Sequence, residues 1–140
     1  MRTTLVILCA LASLAPAQVA PKVKAAASGP PQVARGKYIV DDVARCTQCH
    51  TPQNSRGESI TSEYLMGGPV PFQSSVPKSD WAIRVPRIAG GPPGTDEEVI
   101  RELMTGISRF NRPLRPPMPT FHMTREDAQA VLAYLKSLTR

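Results

Sequence analysis

Hydrophobic residues recur at helical spacing in three separate parts of the chain. The first part predicts a helix that starts near Val33 and runs into residues 46–50. Its apolar face consists of Val33, Gly36, Val40 and Val43. A glycine inside a helix costs about 1 kcal/mol relative to alanine, so Gly36 on this face indicates that another helix approaches closely.

The second and third helices are predicted from their start signals as well as from their apolar faces. Residues 95–98 (TDEE) have the sequence of a capping box, and Gly106 can end the helix that follows. Thr124 precedes two acidic residues and can start the last helix. The predicted apolar faces are Val99, Ile100, Leu103 and Met104 in the second helix, and Ala128, Val131, Leu132, Leu135 and Leu138, with Tyr134 beside them, in the third.

Residues 46–50 (CTQCH) have the C-x-x-C-H spacing by which proteins attach c-type haem. Two thiols at this spacing can add to the two vinyl groups of one haem, and the following imidazole can then reach the iron. We therefore predict one covalent haem c, held by Cys46 and Cys49, with His50 as an axial ligand. Two other interpretations are a thioredoxin-like site, which needs a βαβ context, and a zinc site that includes His50 or His122, which lacks zinc-finger spacing.

A second axial ligand to the iron would come from a methionine or a histidine. The candidates are Met66, Met104, Met118, Met123 and His122. Met118 is favoured because it stands in the sequence RPPMP, where prolines stiffen an extended loop just before the last helix. Met104 fits the apolar face of a helix, Met66 is an alternative, and His122 and Met123 adjoin the start of the last helix.

Residues 51–94 show neither helical nor strand periodicity. A loop of this length is unusual in a small domain unless it wraps around a ligand. The side chains predicted to contact the porphyrin or to close its pocket are Phe72, Trp81, Ile83, Val85 and Ile88. Trp81, Arg84 and Arg87 are also candidates to hydrogen-bond the haem propionates.

The first 32 residues predict export rather than part of the folded domain. Residues 1–17 combine Arg2, a short apolar run and an A-x-A site, which is typical of a secretory signal peptide. The run is about half of the ~20 residues that a membrane-spanning helix needs. Cleavage after Ala17 would remove Cys9. Residues 18–32 are poor in large apolar side chains and predict a disordered leader, so the domain is expected at 33–140.

Charge and composition narrow the function classes further. The chain has 17 Lys and Arg against 11 Asp and Glu, but the basic residues are scattered, so we do not predict nucleic-acid binding. The 15 prolines leave little continuous helix, and a buried porphyrin would supply apolar volume that so short a chain lacks. The arginines that are candidates for a docking rim around a haem edge are Arg45, Arg56, Arg109, Arg112 and Arg115.

Taken together, these motifs resemble a monohaem class I cytochrome c over about residues 33–138. The resemblance rests on Gly36 and Tyr38 in the first helix, on CTQCH, on Met118 between prolines and on Tyr134 in the last helix. The segments CTQCHTPQNSRG, YLMGGPVPF and RPPMPTFHMTREDAQAVLAYLKSL are similar to cytochrome subunits of bacterial periplasmic dehydrogenases. The resemblance implies an all-α fold with three main helices and long loops around one haem, in which Gly36 packs against Tyr134.

The function that this resemblance implies is one-electron transfer in the periplasm rather than catalysis. The implied carrier is a monomer with iron held by His50 and Met118, and with no membrane span after signal cleavage. Its expected partners are a dehydrogenase donor and an oxidase or other acceptor. One alternative is the haem subunit of a larger dehydrogenase complex. Another is a haem sensor or peroxidase with an open sixth site, against which the Met118 loop argues.

Overall fold

The computed structural model describes residues 30–77 and 80–138. The predicted signal peptide and residues 18–29 of the predicted leader lie outside the described residues. Helix α1 spans Pro30–Tyr38 and so begins three residues before Val33, where the sequence predicts the first helix. Proline is well tolerated at the start of a helix because its missing N–H has no partner there in any case.

Three longer helices and one short helix form the domain. Helix α2 is Thr47–His50, α3 is Asp96–Thr105 and α4 is Arg125–Ser137. The three predicted helices are therefore present as α1, α3 and α4, and the haem motif occupies α2. A 3₁₀ turn at Thr61–Glu63 and a two-stranded antiparallel sheet complete the described elements. The strands are β1, Gly68–Pro69, and β2, Arg84–Val85.

Helix α1 continues as a π-helical turn over Ile39–Val43, which the sequence did not predict. The Ala44 N–H donates to the Ile39 carbonyl at 2.7 Å, five residues back. This wider turn rotates the residues that follow it. Val40 is fully buried, but Val43 is 58% exposed, so the prediction that Val43 continues the apolar face is wrong.

Helices α1 and α4 cross at Gly36, as predicted. A Cβ atom at Gly36 would lie 2.6 Å from the carbonyl carbon of Ala130 and 2.7 Å from the Cβ of Tyr134. Only glycine allows the two backbones to approach this closely. The Arg35 Nε–Asp127 ion pair, at 2.9 Å, spans the same crossing.

Both remaining long helices begin with the predicted caps. The Thr95 hydroxyl accepts from the Glu98 N–H, and the Glu98 carboxylate accepts from the Thr95 N–H at 2.8 Å. Gly106 ends α3 with φ +71°, in the left-handed region. The Thr124 hydroxyl caps α4 by accepting from the Asp127 N–H at 3.2 Å.

The middle loop is ordered by hydrogen bonds to distant parts of the chain rather than by elements of its own. Leu65 is fully buried, and its carbonyl accepts from the Ile88 N–H at 3.0 Å. The Gly90 N–H donates to the Leu135 carbonyl in α4 at 2.8 Å. Within residues 30–77 and 80–138, no helix is long and apolar enough to cross a membrane.

Candidate haem site

A cavity of about 990 Å³ lies between the C-x-x-C-H helix, α3, α4 and the loop that contains Met118. Cys46, His50 and Met118 all line it. Its apolar wall includes Val85, Ile88, Val99, Leu103, Val131 and Leu135. Several of these residues also belong to the hydrophobic core, so the cavity opens into the centre of the domain.

His50 is buried in the cavity wall and held in one orientation. It is 5% exposed, and its Nδ1 lies 2.9 Å from the carbonyl oxygen of Pro86. A carbonyl can only accept a hydrogen bond, so Nδ1 carries the proton and Nε2 has a free lone pair. Burial lowers the pKa of His50, which also favours the neutral ring.

Gly67 fixes the position of Pro86 relative to His50. Its N–H donates to the His50 carbonyl at 2.7 Å, and a Cβ there would lie 2.5 Å from the carbonyl carbon of Pro86. Its φ of +70° is also in the left-handed region. Sequence reasoning missed both Gly67 and Pro86, and the adjacent glycines at 67 and 68 were the available signal.

The two motif cysteines are free thiols. Cys46 directly precedes α2, and Cys49 lies within α2 next to His50. Both line a second, smaller cavity of about 40 Å³ together with His50 and Met118. Burial raises the pKa of Cys46 to about 11 and also raises that of Cys49, so both side chains are neutral thiols.

Met118 is held against both cavities by backbone hydrogen bonds from its loop. The Ala82 N–H donates to the Pro116 carbonyl at 2.7 Å, and the Leu114 N–H donates to the Gly106 carbonyl at 2.9 Å. A Cβ at Gly106 would lie 2.7 Å from Cγ2 of Thr120, so the end of α3 packs closely on this loop.

The other candidate axial ligands do not line either cavity. Met66, Met104 and Met123 are partly buried and pack against the hydrophobic core. His122 is exposed. Among the described methionines and histidines, the two that line the cavities are His50 and Met118.

Of the three predicted propionate contacts, only Arg84 lines the large cavity. Trp81 Nε1 donates to the Phe72 carbonyl at 3.3 Å, and Arg87 Nε donates to the Ala89 carbonyl at 2.7 Å. Neither Trp81 nor Arg87 lines the large cavity, and the propionate role of these two residues stays a prediction.

Of the five loop residues predicted to contact the porphyrin or to close its pocket, some line the large cavity and others do not. Val85 and Ile88 line the large cavity, whereas Trp81 does not. Phe72 and Ile83 are exposed and line neither cavity, so they do not close the pocket.

Residues 33–139 match the family model described as cytochrome c. The chain belongs to the cytochrome c family. It is 28% identical over 114 residues to the fructose dehydrogenase cytochrome subunit of Gluconobacter japonicus and 32% identical over 115 residues to a subunit of nicotinate dehydrogenase from Pseudomonas putida. It is also 31% identical over 115 residues to a dihaem cytochrome c-type protein of Cereibacter sphaeroides.

The similar region covers most of this cytochrome but a small part of its relatives. The three alignments cover 74%, 74% and 76% of this chain and 21%, 9% and 35% of the relatives, in the order given. Family membership indicates a covalently bound haem c and a role in electron transport, and it agrees with the small helical fold.

The cavity of this cytochrome has the chemistry that a haem c requires. The side chains that line this cavity and the small cavity beside it offer two thiols, an imidazole nitrogen with a free lone pair and a thioether, and the wall of the large cavity is largely apolar. Among the described residues, no three His, Cys, Asp or Glu side chains form a group that could hold a metal ion. The sheet within residues 30–77 and 80–138 is antiparallel, so the βαβ context of a thioredoxin-like site is not found there.

Arginines around the cavity differ in whether they already have an acidic partner. Arg115 pairs with Asp80 at 2.8 Å. Arg84, Arg109 and Arg112 line the cavity and form no ion pair with any described residue. Trp81 and Arg87, in contrast, do not line the cavity.

Two arginines predicted for a docking rim lie in different settings. Arg45 lines the small cavity beside the thiols. Arg56 lines neither cavity and pairs with Glu58 at 2.8 Å. The structure therefore does not bring Arg56 to the rim of the site.

Proposed function

We propose that this cytochrome is an exported monohaem electron carrier whose iron is held by His50 and Met118. The observation that carries the proposal is that His50 and Met118 line the large cavity together with the free thiol of Cys46, and line the small cavity together with the free thiols of both Cys46 and Cys49. The sequence contains one such motif, which supports one haem per chain. Residues 1–17 support export to the periplasm, where the mature protein would work.

Each side chain of the site has a separate task in this proposal. Cys46 and Cys49 would hold the haem covalently, each S–H adding to one vinyl group to give one thioether. His50 would bind the iron through Nε2, while the Pro86 carbonyl accepts a hydrogen bond from Nδ1–H and keeps the ring in the correct tautomer. Met118 would supply a neutral thioether ligand, which would raise the reduction potential relative to a bis-histidine pair.

The walls of the cavity limit what else can happen at the site. The haem, when bound, supplies an iron that alternates between the ferric and ferrous states. The apolar residues from α3, α4 and the middle loop exclude water, so little solvent has to reorient as the charge changes. Arg84, Arg109 and Arg112 would neutralise the propionates without closing the haem edge to a redox partner.

A second candidate function is that of the haem subunit of a larger dehydrogenase. The names of two relatives, a fructose dehydrogenase cytochrome subunit and a nicotinate dehydrogenase subunit, favour it. In either role the partners are redox proteins, with a dehydrogenase as donor and an oxidase or other carrier as acceptor. Gel filtration of the protein from its native host separates a free monomer from a stable complex.

A sensor or peroxidase would need an open sixth site at the iron. Met118 at the cavity opposes this role. Carbon monoxide added to the reduced protein should therefore bind weakly to the parent and readily to Met118→Ala. Rapid binding to the parent protein would support the sensor or peroxidase instead.

The proposal is tested on protein made in a host with periplasmic haem-attachment machinery. Mass spectrometry of the denatured chain should show one added haem, which Cys46→Ala/Cys49→Ala loses. The ferric protein should show the weak long-wavelength charge-transfer band of iron–thioether ligation. Met118→Leu should abolish the band, whereas Met66→Leu, a matched control at a methionine outside the cavities, should keep it. A chain without haem, or a band that survives Met118→Leu, contradicts the proposal.

A further inference from the structure

Glu102 is a carboxylic acid in the wall of the haem cavity that has no role in holding the haem. It lies on α3, lines the large cavity and is half-buried. Its side chain forms no hydrogen bond and no ion pair within the part of the chain that the structure describes. A partly buried carboxylate without such partners is costly, so its protonation state should respond to nearby charge.

The charged groups that face Glu102 come from its own helix and from the following loop. Glu98 lies one turn earlier on α3, and Arg101 is the preceding residue. Arg109 approaches from the loop after α3, where it also stacks on the ring of Phe110 at 4.8 Å. Burial raises the pKa of Glu102 and Glu98 adds to that rise, while Arg109 and Arg101 oppose it.

Two of these neighbours already have other partners. The Glu98 carboxylate accepts from the Thr95 N–H in the capping box, and Arg101 donates to the Ser108 carbonyl at 3.1 Å. Arg109 forms no ion pair with any described residue. Arg109 is therefore a cation available to act as a partner for Glu102, beside Arg101, whose Nε is buried without a hydrogen-bond partner in the described residues; a propionate would compete for Arg109.

We propose that Glu102 takes up one proton from solvent when the haem iron accepts an electron, so that this cytochrome couples electron transfer to protonation. The inference rests on the proposed function. In this step, ferric iron takes up one electron and becomes ferrous iron. The Glu102 carboxylate takes up one proton and becomes a carboxylic acid. The electron comes from a one-electron redox donor and the proton from water.

The physical reason is the change of charge in a cavity of low dielectric. Reduction removes one positive charge from the iron, and that charge stabilises a carboxylate in the same cavity wall. Charges interact more strongly there than in water, so the carboxylate is less stable beside ferrous iron than beside ferric iron. The reduced protein therefore binds the Glu102 proton more tightly than the oxidised protein.

This coupling makes the midpoint potential depend on pH in a defined direction. The potential should fall as pH rises between the pKa of Glu102 in the oxidised protein and its higher pKa in the reduced protein. The steepest slope is a tenfold change in the equilibrium constant per pH unit, which is about 59 mV for one electron. Below both pKa values and above both of them, the potential should be flat.

The test is a spectroelectrochemical titration of the holoprotein across this pH range. Glu102→Gln should abolish the slope. It should hold the potential at the level that the parent reaches at acid pH, because the glutamine of the variant and the protonated Glu102 of the parent are both uncharged. Glu102→Asp should restore a slope. Glu97→Gln is the matched control on the same helix: its carboxylate is exposed, lies outside the cavity and should leave the slope unchanged.

A second measurement needs no variant. The infrared difference spectrum of the parent, reduced minus oxidised, should contain the C=O stretch of one newly protonated carboxylic acid. A flat potential in the parent, a slope that persists in Glu102→Gln or a difference spectrum without that band overturns the inference. A chain that carries no haem, or that lacks the iron–thioether band, instead overturns the proposed function.

Discussion

At the scale of single residues, the orientation of His50, the proposed iron ligand, depends on a backbone carbonyl 36 residues away in sequence. Pro86 fixes the tautomer of His50, and Gly67 packs between the two segments that carry them. The C-x-x-C-H motif could be read directly because spacing within one turn determines its chemistry. The Pro86 contact could not be read, since any residue offers a carbonyl and only the fold decides which carbonyl reaches His50.

Gly67→Ala should destabilise the holoprotein and disturb its axial ligation. Alanine at positive φ costs about 1–2 kcal/mol. Its methyl group would also collide with the backbone of Pro86, which should add about 1–3 kcal/mol of overpacking. Guanidinium unfolding and the midpoint potential measure the two effects.

Gly57→Ala is the matched control for that substitution. Gly57 has φ +78°, but a Cβ there would meet nothing within 4 Å, so it isolates the backbone strain. Equal losses of stability in the two variants, with equal potentials, would show that the contact between Gly67 and Pro86 does not position His50.

At the scale of elements, the long helices could be predicted from the sequence, whereas the turns and short strands that connect them could not. Thr95 and Gly106 predict the two ends of α3 correctly, because helix capping depends only on residues close in sequence. The π turn after Tyr38 has no such signal, and it is why Val43 turns outward although its spacing fits the apolar face. Strands of two residues, as in β1 and β2, are too short to show alternation.

Gly36→Ala tests the crossing of α1 and α4 against intrinsic helix propensity. In an isolated helix this change should stabilise by about 1 kcal/mol. At the crossing, the added methyl group would overlap the Ala130 backbone, so we expect a net loss of about 1–3 kcal/mol in the free energy of unfolding. Guanidinium unfolding of the holoprotein measures that loss.

Ala34→Gly on the exposed side of the same helix supplies the comparison. It should reveal how much propensity alone contributes in α1, with no change in contacts to α4. If Gly36→Ala gains about as much stability as Ala34→Gly loses, the two helices do not need glycine in order to pack.

At the scale of the whole molecule, a basic domain surrounds an apolar cavity. Residues 33–140 contain 14 Lys and Arg against 11 Asp and Glu, a formal charge of +3, and three of the arginines at the cavity have no ion-pair partner among the described residues. The sequence alone predicted Arg84 and Arg87 as equivalent propionate contacts, but only Arg84 lines the cavity, because the direction in which a loop turns cannot be predicted from sequence. Once the propionates are neutralised, the remaining positive charge faces any protein that approaches this side.

Positive charge at this rim should steer an acidic redox partner toward the haem edge. The bimolecular rate of electron transfer from an acidic flavodoxin should fall as salt rises, because the Debye length shortens from about 10 Å at 0.1 M to about 3 Å at 1 M. Arg112→Glu should slow the reaction by about tenfold at low salt, within the range of electrostatic steering, and should leave the haem spectrum unchanged. Arg125→Glu carries the same change of charge at a site outside the cavity rim, where Arg125 pairs with Glu97, and should have a much smaller effect. Equal rates for both variants, or rates indifferent to salt, would mean that the rim arginines serve the propionates and take no part in docking.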